Sequence, residues 1–526
     1  MPAPREVAAG VERAAWAAVA AVVALAALPI AALTWHAGSA GEFRIWQDPY
    51  LLRVLRFSLL QATLSTLASV VPAILVARAL ARRQRFFGRR ALMALLGVPL
   101  VVPSIAAVLG VVAVFGADGW LPLGRSLYGL AGILIAHIFF NLPLASRMLV
   151  PALEQVPAEQ WRLGRQLGMS GWQTFRHIEW PALRGALPGT ALVVFMLCLT
   201  SFAVVLTLGG GPRSTTLEVA IYQSLRYDFE PGRAVVLAAC QLVLCALVAV
   251  LAARLTAARA SEIGGAGGAD FRDSPAARLV DGAAIAVALA VVGAILAAIV
   301  IDGLASPLAE VLAGAQFWRA LATSSAIAAI AAVLACAAGW TIAAGAARLA
   351  AAGRGRAGAA LEISGAVVYV VPPLVIGTGY FLLLHGLVEL DRATIAVVVL
   401  VNAMMGLPFV IRTLGPVMRQ REIEYGRLCR SLGVAGAARF RIVDFPLLRR
   451  PLALAAALVA ALSFGDLGVV ALFAVETTTL PLLVYQYLAA YRTGAAAAAS
   501  LLLLAASLAL FIVIERLVGG GHRADR

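Results

Sequence analysis

The sequence predicts an all-α polytopic membrane protein, with about twelve transmembrane helices arranged as two parallel six-helix repeats. Three observations predict it. The chain has 526 residues, 62% of them hydrophobic and only 13% charged, too little charge to cover a soluble protein of this size. Apolar runs of about 20 residues recur from end to end, the length a helix needs to cross a bilayer. A polar, arginine-rich stretch occurs twice, "LGRQLGMSGWQTFRHIEWPALR" from Leu163 to Arg184 and "LCRSLGVAGAARFRIVDFPLLR" from Leu428 to Arg449, at a constant offset of 265 residues.

The expected spans, in order, are Ala15–Thr34, Val54–Leu80, Ala91–Phe115, Tyr128–Val150, Ala186–Leu208 and Ala234–Ala253. They continue with Leu279–Ile301, Ala320–Ala347, Leu361–Leu387, Ala393–Ile411, Leu452–Phe473 and Gly494–Ile514. Alternating strand patterns of the barrel type are absent, so the spans are helices. The first is long and lacks a small-residue cleavage site after it, which makes it a retained helix rather than a signal peptide.

The net charge is +15 and the pI near 10.5. Such a balance would suit nucleic acid, but membrane orientation accounts for it, and no nucleic-acid partner is expected. All 42 Lys-plus-Arg residues are arginine. With the N-terminus inside, only ten of these, Arg44, Arg213 and Arg492 among them, fall at or near the outer face. The positive-inside bias therefore places both termini and both repeated loops in the cytoplasm. The cluster "RRQRFFGRR" (Arg82–Arg90) is one more orientation signal. Without lysine no phosphate-binding P-loop can exist here. The chain is not expected to be an enzyme or to hold a cofactor, and any ATP must be hydrolysed on another subunit. Cys198, Cys240, Cys245, Cys336 and Cys429 suit small packing roles. The five histidines form no metal-ligand cluster.

The repeat extends beyond the loop. The shift of 265 pairs Pro143 with Pro408, Arg147 with Arg412, Phe175 with Phe440, Glu179 with Asp444 and Pro181 with Pro446. A shift of 263 overlays "TTLEVAIYQ" (Thr215–Gln223) on "TTLPLLVYQ" (Thr478–Gln486). Residues 1–259 form the first repeat and 279–526 the second, related by an axis along the membrane normal. The Gly-, Ser- and Asp-containing stretch 260–278 between them is a flexible cytoplasmic linker. Each repeat carries its loop, at 154–181 and 419–446. Each loop reads as a helix, a glycine break, a short helix and then a proline where the next span begins. Two like knobs suit a partner that is itself a symmetric dimer.

These loops resemble the cytoplasmic coupling loop of permease subunits in binding-protein-dependent ABC importers. That family's pattern is Glu-Ala-Ala, three residues, Gly, nine residues, Ile, one residue, Leu-Pro. Gly168, Ile178 and Pro181 match it in the first copy; Gly433 and Pro446 match in the second, with Val443 in place of Ile. The triplet reads Arg162-Leu163-Gly164 and Arg427-Leu428-Cys429, so its Glu is absent from both copies. Leu167 and Leu432 precede the glycines. The resemblance implies a type I ABC importer permease-like fold, with these residues as the contacts to the ATPase. Four segments narrow it: Trp46–Ser65, Ala136–Leu149, Phe195–Pro231 and Leu462–Phe473 look closely like the fused, double-length permeases for thiamine and thiamine pyrophosphate. Such a permease is a multi-pass subunit of the bacterial inner membrane, surrounded by lipid. It works with a periplasmic thiamine-binding protein and two copies of a cytoplasmic ABC ATPase, which carries the ATP and Mg. A ferric iron permease of the same fused type is the alternative substrate class. From another class, a proton-driven secondary transporter of the major facilitator type also has twelve helices in two parallel halves. Its signature, however, repeats after helices two and eight, whereas the repeat here follows helices four and ten.

Three intramembrane polar residues are candidates for the translocation path. Asp466 lies in an apolar run, where an acid is expensive and demands a reason. A structural or gating role is favoured over direct contact with a cationic substrate, because related permeases for anions also carry an acid near this place. Asn141 and Asn402 precede the matched prolines, where helix–helix hydrogen bonding is the simplest role. Tyr222, Tyr227, Tyr485 and Tyr491 gather toward the outer side, as interfacial anchors would. The topology predicts that cysteines placed at Gln173 and Ala438 resist an impermeant thiol reagent applied from the periplasm. Labelling of both from outside would reverse the orientation.

Overall fold

The computed structural model describes residues 4–39, 48–83, 86–257, 275–474 and 476–520. The first half runs through α1 (Pro4–Ser39), α2 (Pro49–Arg82), α3 (Arg89–Leu95), α4 (Ser104–Phe115), α5 (Leu130–Glu154) and α6 (Ala158–Gln166). It continues with α7 (Gly171–Thr174), α8 (Trp180–Leu199), α9 (Ala203–Leu208), α10 (Leu217–Arg226) and α11 (Pro231–Ala257). The second half runs through α12 (Pro275–Ala305), α13 (Leu308–Ala313), α14 (Ala315–Ala351), α15 (Gly355–Ala366) and α16 (Pro373–Leu384). It ends with α17 (Leu390–Ser431), α18 (Gly436–Arg439), α19 (Phe445–Phe464), α20 (Gly468–Phe473), α21 (Leu480–Ala489) and α22 (Thr493–Gly519). Most of the stretch assigned to the linker, up to residue 274, lies outside the described residues; α12 already begins at Pro275.

Among the described residues, ten helices are long and apolar enough to cross a membrane. The other two expected spans, the third and the ninth, are present but broken. α3 and the 3₁₀ turn Val98–Leu100 meet α4 at an angle of 110°. α15 and the 3₁₀ turn Val367–Val370 likewise precede the short apolar helix α16. The cause is written twice, as Val101-Val102-Pro103 and Val370-Val371-Pro372. Proline pushes the residue before it out of the helical region and brings no N–H of its own. Pro103 (φ −59°, ψ 136°) and Pro372 (φ −59°, ψ 142°) start the following helices in the same conformation. Spans five and eleven break near their far ends as well, at residues 200–202 and 465–467, before the short helices α9 and α20.

The described chain packs as two compact units, and their boundary is not the midpoint of the sequence. One unit holds α1, the stretch Ile221–Leu242 and α13–α22; the other holds Arg44–Ala220 and Val243–Ser306, with α12 inside it. The first helix of each half thus packs outside its own half. α1 lies on α14, α15 and α16, while α12 lies on α2, α4 and α5. A pair of glycines permits the contacts. A Cβ on Gly379 of α16 would stand 2.3 Å from the carbonyl oxygen of Pro29 on α1, and a Cβ on Gly110 of α4 would stand 2.8 Å from that of Ile295 on α12. Only a residue without a side chain lets two backbones approach so closely.

A second matched device closes each unit. The Ser58 hydroxyl on α2 accepts the Leu217 N–H at the start of α10, and the Ser324 hydroxyl on α14 accepts the Leu480 N–H at the start of α21, both at 2.9 Å. Short helices inside an apolar bundle need such partners for their first N–H groups. Gly379→Val should lower the yield of folded protein from membranes and its melting temperature in detergent, since the overlap is with backbone and cannot be relieved by a rotamer change. A cost of about 1–3 kcal/mol is the usual scale for overpacking. Gly293→Val, at a helical position with nothing within 4 Å, should leave both values near wild type. Equal behaviour of the two variants would show that the close approach is not needed.

Candidate functional site

The two repeated loops form helical knobs of related design. In the first, α6 ends on Gly168, whose φ of +64° places it in the left-handed region. The Met169 N–H bonds back to the Gly164 carbonyl (3.0 Å) and the Gly168 N–H to that of Arg165 (3.1 Å), so the last turn's carbonyls are satisfied. The second loop repeats this with Gly433 (φ +66°), Val434 to Cys429 (2.8 Å) and Gly433 to Arg430 (3.3 Å). The expected glycine breaks are therefore real.

The expected proline break is not. Trp180 and Phe445 each bond through their N–H to a carbonyl five residues back, Phe175 and Phe440. These bonds close five-residue π turns at Phe175–Glu179 and Phe440–Asp444, after which α8 and α19 continue the same helices. The wider turn accommodates Pro181 and Pro446, whose rings would clash with a carbonyl in a regular α-helix. Short helix and span are consequently one rod, from Gly171 to Leu199 in the first copy.

What seats the knobs in the bundle is ionic. Glu179, 1% exposed, receives Arg78 at 2.8 Å and also Arg82, both from α2. Asp444, its counterpart, receives Arg421 of α17 at 2.6 Å and Arg439 of α18 at 3.4 Å. Arg439 and Arg421 also pair with Glu422, which stands where the first copy has Pro157. That difference shapes the two loops. Pro157 interrupts the chain between α5 and α6, whereas α17 runs unbroken to Ser431. The first knob rests instead on a small apolar cluster of Val156, Trp161 and Ile178, with Met169 against it. Gly164 belongs there, because a Cβ would come within 2.9 Å of Ile178 Cδ1. In the second copy Cys429 is buried at the equivalent place.

Of the remaining loop candidates, Val443, the counterpart of Ile178, is half-buried and the leucines and arginines point outward. Leu163, Leu167, Leu428 and Leu432 are all more than half exposed, and Arg162 and Arg427 are exposed beside them. Pairs of exposed leucines on a rigid, capped turn make a surface ready for a protein partner.

A family model described as the binding-protein-dependent transport system inner membrane component matches residues 70–260. The thiamine transport system permease protein ThiP of Escherichia coli (strain K12) is 44% identical, over 96% of each chain. That of Salmonella typhimurium is also 44% identical, over 94% of each. That of Brucella abortus (strain 2308) is 42% identical, over 98% of this chain and 96% of its own. The chain belongs to this permease family. It is a multi-pass inner-membrane permease, and the major-facilitator alternative is set aside.

The three intramembrane candidates of the permease sit at the broken ends of its rods. Asn141 of α5 is buried and donates to Cys198 Sγ (3.3 Å), one residue before the end of α8. Asn402 of α17 is buried and donates to Ser463 Oγ (2.9 Å), one residue before the end of α19. Cys198 and Ser463 are equivalent under the 265-residue shift. Asp466 is not inside a helix: it lies in the break, and its Oδ1 accepts the Gly468 N–H (3.1 Å) at the start of α20. This is a helix-start role. Among the tyrosines, Tyr222 is buried rather than interfacial, with its ring edge-on to Tyr227 at 5.7 Å. Tyr491 is 91% exposed, as an interfacial anchor would be.

Sequence reasoning paired Glu179 with Asp444 but gave them no role; it missed Arg78, Arg421 and Arg439 and read Arg82 only as part of an orientation signal. A carboxylate repeated at one offset in a loop with so few acids was the available signal. Breaking a buried ion pair by removing one charge typically costs about 3–5 kcal/mol. Glu179→Gln should therefore accelerate amide hydrogen exchange across residues 158–179, while residues 419–446 keep their protection. Unchanged exchange in the first loop would show that the pair does not seat it.

Proposed function

We propose that the chain is the permease subunit of an ATP-driven importer that receives thiamine, and thiamine pyrophosphate, from a periplasmic binding protein and passes it to the cytoplasm. The observation that carries this reading is the near full-length likeness to permeases named for thiamine transport. Those names favour the vitamin over ferric iron. Both knobs and both termini face the cytoplasm, and each knob docks one copy of a separate ABC ATPase, which brings ATP and Mg. The contacts are Leu163, Leu167 and Trp172 in the first loop, and Leu428, Leu432 and Ile442 in the second, all of them exposed.

The rods supply the mechanism. A helix that starts in the knob at Gly171 ends at Leu199, beside the Asn141–Cys198 contact. At 1.5 Å per residue such a rod is about 40 Å long. Movement of an ATPase copy therefore shifts the polar break at the rod's other end. In the second half the same displacement reaches Asn402, Ser463 and Asp466. Alternating access follows when both breaks move together.

Purified permease, reconstituted in vesicles with its ATPase and thiamine-loaded binding protein, should take up thiamine only when ATP is supplied on the ATPase side. Gly168→Val and Gly433→Val, each forcing a β-branched residue to positive φ at a local cost of about 1–3 kcal/mol, should reach the membrane normally. Each should recover less ATPase in a pull-down, and the double variant should nearly abolish both recovery and uptake. Full transport by the double variant would end the coupling role of the loops. Uptake driven by a proton gradient without ATP would end the importer reading.

A further inference from the structure

The two knobs are alike in backbone and unlike in what they present. At the second residue of α7 the first loop carries Trp172, 67% exposed; under the 265-residue shift the second loop carries Ala437 there. The indole is not loose. It stacks on Phe175, with ring centroids 5.6 Å apart and planes inclined by 29°. Phe175 is held in turn by the Arg78 guanidinium, 5.7 Å from its ring centre, and by Trp180 at 6.1 Å. The backbone under Trp172 is fixed as well, because Ser170 and Gln173 form a reciprocal capping box at the start of α7.

In the second loop the aromatic pairing includes a ring of the bundle, although Phe440 is itself 43% exposed. Phe440, the counterpart of Phe175, packs edge-on against Trp340 of α14 at 5.3 Å and, tilted, against Phe445 at 5.8 Å. α18 has no side-chain cap at Ala435. What this knob shows most openly is aliphatic, Ile423, Leu428, Leu432 and Ile442; its aromatics Tyr425, Phe440 and Phe445 are each less exposed than these and than Trp172.

A large aromatic held in place before the partner arrives is the kind of residue that dominates an interface. We propose that Trp172 is the anchor by which the first loop grips its ATPase copy more tightly than the second loop grips the other copy. The inference rests on the reading of both loops as ATPase-docking elements. Identical ATPase subunits then meet two unequal seats, and the first loop is occupied first when ATPase is scarce. Loss of such an anchor weakens binding roughly thirtyfold.

The test uses the full chain in lipid nanodiscs and the purified ATPase subunit without nucleotide, so that each copy binds on its own. A photocrosslinking residue is placed at Arg176 or at Arg441, equivalent exposed positions one turn past Trp172 and Ala437. In the otherwise native permease, crosslinking from position 176 should saturate at a lower ATPase concentration than from position 441. Trp172→Ala should remove that lead, Trp172→Phe should keep most of it, and the exchange Trp172→Ala/Ala437→Trp should reverse the order. The Ala437→Trp change alone should tighten the second seat, which keeps the test valid should Trp172→Ala accumulate poorly. Equal saturation of the two native loops, or an order unmoved by the exchange, overturns the inference while leaving the coupling reading intact. No capture from either position overturns both.

Discussion

Inside a bilayer every backbone N–H and C=O must find its partner within the protein, and the architecture follows from that constraint. It makes the described chain helical, and it makes each interruption of a helix a place where specific residues must answer for the freed groups. Within the apolar spans the interruptions named above come in pairs. Val-Val-Pro breaks the third and ninth spans; residues 200–202 and 465–467 break the fifth and eleventh. At several helix starts a polar side chain or a proline stands in. Ser58 and Ser324 take the first N–H groups of α10 and α21, Asp466 takes that of Gly468, and Pro103 and Pro372 bring no N–H at all.

The same constraint weakens toward the loops, and there charge replaces backbone bookkeeping as the organising force. Glu179 and Asp444 occupy one position in two copies, yet they recruit different arginines: two from α2 in the first, one from α17 and one from α18 in the second. An acid buried among arginines fixes the loop's base only if the pairs stay closed, since an unpaired charge there would be costly. The first copy adds an apolar cluster behind a proline hinge; the second adds Glu422 and an unbroken α17 of 42 residues. Duplication fixed where the seat lies, and divergence changed how each is built.

Much of this was legible in the sequence and some was not, for definable reasons. The twelve apolar segments, the two-fold repeat and the glycine breaks at Gly168 and Gly433 were legible, because length, offset and αL geometry are local properties. The exchange of α1 and α12 was not. An apolar helix surface does not announce its neighbour, and the signal that mattered, Gly379 against Pro29 and Gly110 against Ile295, connects residues far apart in the chain. The arginine partners of Glu179 were invisible for the same reason, being about a hundred residues upstream. Asp466 was legible as an anomaly but not as a helix start, since the break that explains it lies within an apolar run. Pro181 and Pro446 were misread as ends of structure, because proline alone does not show that a π turn precedes it.

That misreading bears on function. Had the prolines ended the short helices, each knob would hang from its span by a joint, and a push on the knob would be absorbed there. The π turn removes the joint. Its widened ring accepts the proline and keeps the hydrogen-bond ladder continuous from the knob into the membrane. It also gives the loop a local geometry that an α-helix lacks, and within that turn Phe175 meets both Trp172 and Arg78 while Glu179 meets Arg78 and Arg82. The support under outward-facing Trp172 and the inward anchor Glu179 are thus carried on the same five residues. A displacement at the surface cannot then be separated from a displacement of the rod. In the coupling role proposed for the loops, that continuity carries a partner's movement to the far end of the helix.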